Sequence, residues 1–130
     1  MDGNKQRLLV VDDDDMNLDM LARRLERHGY EVERAGNGPQ ALQFLRFNHV
    51  DLVLLDHQMP EITGLEVLRL LRQRHSATEL PVIMVTAAND PKTVREAATL
   101  GANDFITKPL DMMKLLSRVR SHLGQPGTPA

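Results

Sequence analysis

The sequence predicts an α/β protein, a doubly wound sheet of five parallel strands with helices on both faces. Four or five short apolar runs recur along the 130 residues, each rich in β-branched residues or Leu and each followed by a longer segment with helical spacing. Those segments are long enough to cross over the sheet, which implies parallel pairing. A length of 130 residues suits one domain and leaves little room for a second.

Leu8 to Val11 is the first strand. After Asp12 to Asp15, Leu18, Leu21 and Leu25 fall on one face of a helix, and Gly29 suits its stop. Tyr30 and Val32 alternate with Glu31 and Glu33, as in a half-buried strand. Asn37-Gly38-Pro39 offers a turn with Pro at a helix's first position, and that helix carries Ala41, Leu42 and Leu45. Val50 to Leu55 is apolar except for Asp51, as expected of an inner strand covered on both faces. Met59-Pro60 must be loop, because proline disfavours helix in its predecessor, and helical spacing resumes after Gly64 with Leu65, Leu68 and Leu71. Pro81 opens the fourth strand, Val82 to Val85. The next helix runs through Val94, Ala97, Ala98 and Leu100 to a stop at Gly101. Phe105-Ile106 is a short fifth strand, and Met112, Leu115, Leu116, Val119 and Leu123 form the last apolar helix face. Residues 1–123 are expected to form the domain, with Gly124 to Ala130 a flexible tail or the start of an interdomain linker.

Composition narrows the function. Hydrophobic residues at 42% and charged residues at 26% support a folded core. A net charge of −2 gives no bulk attraction to nucleic acid or anionic membrane. The absence of cysteine excludes disulfides, thiolate metal sites and thiol catalysis. No apolar run is long enough to span a membrane and the first residues lack a signal-peptide core, so a soluble cytoplasmic protein is expected.

In a doubly wound sheet, ligands bind beyond the carboxyl ends of the strands, where the strand order reverses. The first strand there ends in Asp12-Asp13, the third in Asp56 and the fourth in Thr86, while Lys108-Pro109 follows the fifth. Three carboxylates pressed together repel one another unless some take up protons or a cation sits among them. Oxygen ligands without His or Cys favour Mg2+, with Mn2+ a possible substitute. Metal, ammonium and hydroxyl are what a transferring phosphoryl group needs, and Asp56 is then the plausible nucleophile. Each residue also has a plainer reading. The acids at 12–15 cap a helix, with Asp14 or Asp15 the expected cap, and Asp56 caps a turn. Thr86 is a strand-end hydroxyl, Lys108 is surface charge and Phe105 is core.

Taken together these motifs resemble the receiver domains of two-component response regulators. The resemblance runs from about Arg7 to Leu123 and rests on Leu8-Leu9-Val10-Val11-Asp12-Asp13, Asp51-Leu52-Val53-Leu54-Leu55-Asp56 with Met59-Pro60 and Gly64, Val85-Thr86-Ala87, and Gly101-Ala102 leading to Phe105-Ile106-Thr107-Lys108-Pro109. It implies a flavodoxin-like fold with strand order 2-1-3-4-5. It makes Asp56 the phosphoacceptor, Asp13 a direct Mg2+ ligand, Asp12 a ligand largely through water, and the Gln58 backbone carbonyl a further ligand. Thr86 would bind the phosphoryl oxygen, Lys108 would pair with the acyl phosphate, and Phe105 would be the aromatic rotamer switch. The partners implied are a histidine kinase or histidine phosphotransfer protein and an unidentified downstream effector. The domain would catalyse only its own phosphorylation and dephosphorylation.

Several positions depart from the family pattern. Asp15 stands where many members have Pro, Thr63 where Asp or Asn is common, and His57 where an apolar residue is frequent. Ala88, two residues after Thr86, is small and leaves water access open. Asp104 and Arg118 sit where the resemblance puts interface charges, but Thr99 replaces a common acid, so a monomer or weak dimer is expected. Two rival functions are a phosphorylation-independent pseudo-receiver and a Mg2+-dependent aspartyl phosphatase. The phosphatase type wants a second Asp two residues after the nucleophile, where Gln58 stands.

Overall fold

Five parallel strands form one sheet in the order β2-β1-β3-β4-β5 in the computed structural model, which describes residues 5–87 and 90–123. The chain alternates strictly: β1 (Arg7–Val11), α1 (Asp15–Arg27), β2 (Glu31–Ala35), α2 (Gly38–Phe47), β3 (Leu52–Asp56), α3 (Gly64–Leu71), β4 (Val82–Ala87), α4 (Pro91–Leu100), β5 (Asp104–Lys108) and α5 (Met112–Leu123). The order reverses between β1 and β3, so the binding crevice opens at their carboxyl ends.

Strand alternation divides the core in two. Leu8, Val10, Leu52, Leu54, Ile83 and Ile106 pack beneath α1 and α5 with Leu21, Leu25, Leu115 and Val119. Leu9, Val11, Val53, Leu55, Val82 and Met84 pack on the opposite face with Ala41, Leu45, Val67, Leu68, Leu71 and Ala97 from α2, α3 and α4. The middle strands are therefore apolar on both faces up to their carboxyl ends, where Asp56 closes β3 and Thr86 lies near the end of β4.

The elements fall where expected, with small shifts at their ends. The third strand starts at Leu52 rather than Val50, because Asp51 is engaged with β1: its carboxylate accepts the Arg7 N–H at 2.7 Å and its own N–H donates to the Arg7 carbonyl. The second helix starts at Gly38, one residue before Pro39, because the Asn37 side chain caps it by accepting the Gln40 N–H at 2.8 Å. Strand β5 is longer than Phe105-Ile106 and takes in Lys108 as its last residue. Gly29 and Gly101, with φ of 97° and 100°, supply the left-handed conformation expected after α1 and α4.

Arg72, at the end of α3, ties this helix to the loops around it. Its guanidinium donates to the carbonyls of Gly101, His75, Ser76 and Leu80, and to Asn103 Oδ1 at 2.9 Å. Asn103 in turn accepts the Val82 N–H and donates to the Ala77 carbonyl. Nothing in the spacing of the sequence marked this pair.

Candidate functional site

Alternation also sets the direction of the polar side chains at the strand ends. Continuing the Leu8-Val10, Leu52-Leu54 and Ile106 series by two residues reaches Asp12, Asp56 and Lys108, which therefore emerge on the α1–α5 side at the carboxyl edge. Asp12, Asp13 and Asp56 each place a carboxylate oxygen within 4.8 Å of the others. Asp56 is only 4% exposed. Its Oδ2 lies 3.3 Å from Lys108 Nζ, while its Oδ1 is buried with no hydrogen-bond partner among the described residues. Burial pushes the Asp12 carboxyl above the usual carboxylate range, and the charges of Asp56 and Asp13 add to this against the Asp14 N–H and Lys108. An all-oxygen donor set, an orphaned carboxylate oxygen and mutual repulsion fit a hard divalent cation.

Local capping holds these groups. Asp12 Oδ1 accepts the Asp14 N–H at 2.9 Å, and Asp14 caps α1 by accepting the N–H groups of Met16 and Asn17. The acidic run thus divides its work, with Asp14 capping and Asp12 and Asp13 facing the crevice. Asp15 occupies the first position of α1, where proline is tolerated, so its departure from the family pattern leaves the helix start intact. Thr63 likewise caps α3 by accepting the Glu66 N–H.

After Asp56 the chain turns tightly. The His57 N–H donates to the Val85 carbonyl and the Gly64 N–H donates to the His57 carbonyl at 2.9 Å. A Cβ at Gly64 would lie 2.4 Å from the Asp56 carbonyl oxygen and 2.7 Å from His57 Cα, so no other residue fits without moving the loop. That close approach is the physical reason for a glycine the sequence presented only as part of a motif. Gln58 is exposed in this loop and Met59 is buried beneath it. His57 is partly buried and its Nδ1 has no partner among the described residues.

Thr86 and Phe105 lie on the other face of the sheet. Thr86 pairs with Thr107 and Met84 with Phe105, so Thr86 and Phe105 share a face two positions out of step. Thr86 is 1% exposed with its Oγ1 unpartnered among the described residues. Phe105 is 43% exposed, which removes the reading of it as core. Ala88 lies outside the described residues, as does the tail from Gly124. Asp104 and Arg118, expected as surface interface charges, pair with each other: Arg118 Nη1 donates to Asp104 Oδ1 at 2.7 Å, and His122 Nε2 lies 3.2 Å from Oδ2.

A cavity of about 270 Å³ adjoins the acidic cluster between α1 and the start of α5. Asp12, Asp56 and Lys108 line one end, and Met20, Arg24 and Met112 line the other. Among the described residues no helix is long and apolar enough to cross a membrane.

The family model described as the response regulator receiver domain matches residues 8–120. The CAI-1 autoinducer sensor kinase/phosphatase CqsS of Vibrio cholerae is 42% identical over 117 residues, 89% of this chain and 17% of that protein. The polar-differentiation response regulator DivK of Brucella ovis is 33% identical over 120 residues, covering 90% of this chain and 95% of that one. Among solved structures, the chemotaxis protein CheY4 of Vibrio cholerae superposes with a TM-score of 0.84 at 29% identity, covering 90% of this chain and 98% of that one. The chain spans about half the length, or less, of several curated relatives it matches.

Proposed function

The chain belongs to the response regulator receiver family of two-component signalling, whose function is phosphorylation-based switching, and from that premise we propose that Asp56 is its phosphoacceptor. The observation that carries this is the meeting of Asp12, Asp13 and Asp56 at one edge with Lys108 Nζ 3.3 Å from Asp56. Receiver domains bind Mg2+ at such an acidic pocket. Here Asp13 and Asp56 would hold the ion directly, Asp12 largely through water, and the Gln58 backbone carbonyl would add a ligand, with Mn2+ able to substitute. The ion would neutralise phosphoryl charge.

The phosphoryl donor is a phosphohistidine of a histidine kinase or histidine phosphotransfer protein. An Asp56 carboxylate oxygen attacks phosphorus in line, a P–O bond forms, and the P–N bond of the donor breaks with its electron pair returning to the imidazole. Lys108 meets the added negative charge because its ammonium already faces Asp56. The Thr86 hydroxyl donates to a phosphoryl oxygen once Asp56 is modified, and Phe105 turns inward as Thr86 moves. This is a local charge event biasing a two-state surface. The domain catalyses only its own modification and its loss, and works in the cytoplasm as a monomer or weak dimer. Pairing inside the chain is in keeping with that state, because Asp104 has one oxygen against Arg118 and the other against His122 and is largely covered. We assign residues 1–123 to the receiver and 124–130 to a tail or the start of an interdomain linker.

Incubation with acetyl phosphate and Mg2+ tests the assignment. The wild type should form a base-labile acyl phosphate that Asp56→Asn cannot form. Asp13→Asn should lose the metal dependence, and Lys108→Ala should keep metal binding but lose labelling or its structural consequence. Labelling of Asp56→Asn at the wild-type level would place the acceptor elsewhere, and no labelling of the wild type would favour the pseudo-receiver.

A further inference from the structure

At the end of the sheet opposite Asp56, two adjoining cavities of about 200 and 380 Å³ share Leu45, Arg46 and His75 and so form one furrow. It follows the seam between the ends of α2 and α3 and continues under the segments entering β3 and β4, past Val50 and Leu80. Its floor is apolar, made by Leu42, Leu45, Leu70 and Leu71. Phe47 stands at its rim 76% exposed, with the Arg46 guanidinium 5.7 Å from its ring centroid.

The charge around this furrow is lopsided. Arg46 and Arg74 are exposed, and among the described residues neither pairs with a carboxylate. His49 and His75 also line it, although His49 Nε2 lies 3.3 Å from Asp51 Oδ1, so the arginines carry the unpaired charge. Glu79 is the one carboxylate in the lining, and it is turned to its own backbone: it accepts the Ser76 N–H at 3.0 Å while its N–H donates to Ser76 Oγ. The domain as a whole carries a net charge of −2, so this basic, apolar-floored strip runs against the overall balance. An arginine in the last turn of α2 complements the helix dipole, but that leaves the exposed Phe47, the apolar floor and Arg74 unexplained.

We propose that the furrow between α2 and α3 docks an acidic peptide segment of a partner protein, one that places an apolar side chain against Leu45 and Phe47 and carboxylates against Arg46 and Arg74. Apolar contact supplies most of the affinity, and the arginines set orientation, encounter rate and salt dependence. The site lies away from the phosphoacceptor edge and does not rest on the role given to Asp56.

Fluorescence anisotropy with a short fluorescein-labelled peptide of Glu, Leu and Phe tests this on the full chain. The wild type should bind it, binding should weaken with added salt, and the double variant Arg46→Glu with Arg74→Glu should bind about tenfold or more weakly. A peptide with Lys in place of Glu should reverse that preference. Asp56→Asn should bind as the wild type does. Both arginines are exposed, so the double variant should keep its circular dichroism and its labelling by acetyl phosphate, which separates lost docking from lost folding. No binding by the wild type, equal binding by the double variant, or tighter binding of a single-stranded oligonucleotide at the same ionic strength would overturn the proposal.

Discussion

Asp12 and Gly64 show how single residues prepare this site before any ligand arrives. The Asp12 carboxylate is buried beside Asp56 and Asp13, an arrangement that costs stability wherever all three are ionised. Asp12→Asn keeps an oxygen for the Asp14 N–H and removes one charge. It should raise the melting temperature in chelator by a few degrees, the shift that about 1 kcal/mol produces in a domain of this size, while shrinking the rise that Mg2+ causes in the wild type. A melting temperature that falls in chelator would show that repulsion is not what the crevice stores. Gly64 acts through shape, since its Cα sits against the peptide that follows Asp56. Gly64→Ala should cost about 1–3 kcal/mol in urea unfolding and slow phosphorylation of Asp56, because the new methyl displaces the loop carrying Gln58. Unchanged values of both would mean that the loop yields freely.

At the scale of elements, two polar clusters fasten helices to strands. Arg72 brings its guanidinium against four carbonyls and Asn103, and so joins the end of α3 to the loops before β4 and β5. Burial pulls its pKa down from the usual arginine range, and among the described residues no acid pairs with it to offset this. Arg72→Ala would strand these acceptors and should destabilise the domain by roughly 3 kcal/mol; chemical denaturation within experimental error of wild type would refute the staple. Asp104 fastens α5 to β5. Burial raises its pKa, but hydrogen bonds from His122, Arg118 and the Phe105 N–H together with the Arg118 charge outweigh this, and the net shift is downward. A depressed folded-state carboxyl contributes stability that is present above its unfolded value of 3.8 and lost as pH falls through the lower folded value. Asp104→Asn should therefore lose about 1–3 kcal/mol at neutral pH, and its stability should fall less steeply than wild type on acidification below pH ~4. Parallel acid limbs for the two proteins would contradict the assignment.

The whole molecule is one sheet shared by two cores, and β1, β3 and β4 contribute alternate side chains to each. Losing one core strips the same strands of half their burial, so both should melt in a single transition. Tyr30 is the only tyrosine and the chain has no tryptophan, and it is buried in the α1–α5 core. Its fluorescence therefore follows that core alone, while far-ultraviolet circular dichroism follows the whole chain. The two melting curves should coincide, whereas separate midpoints would show that the α2–α3–α4 side unfolds on its own.

Sequence by itself determined the strand and helix rhythm, the parallel pairing implied by the crossovers, and the acids and lysine at the strand ends. These are local: apolar period, caps and chain length carry them, and they bring Asp12, Asp13, Asp56, Thr86 and Lys108 to one edge of the sheet. Only tertiary structure decided what lies between distant segments. The 3.3 Å approach of Lys108 to Asp56, the contact that requires glycine at 64, the outward position of Phe105 and the pairing of Asp104 with Arg118 each depend on side chains brought together across the sheet or a loop. The Arg72–Asn103 staple and the basic furrow are of the same kind. A pattern along the chain records which face a residue turns to, whereas distance, burial and unmet hydrogen bonds belong to the packed molecule, where neighbours in space are remote in sequence.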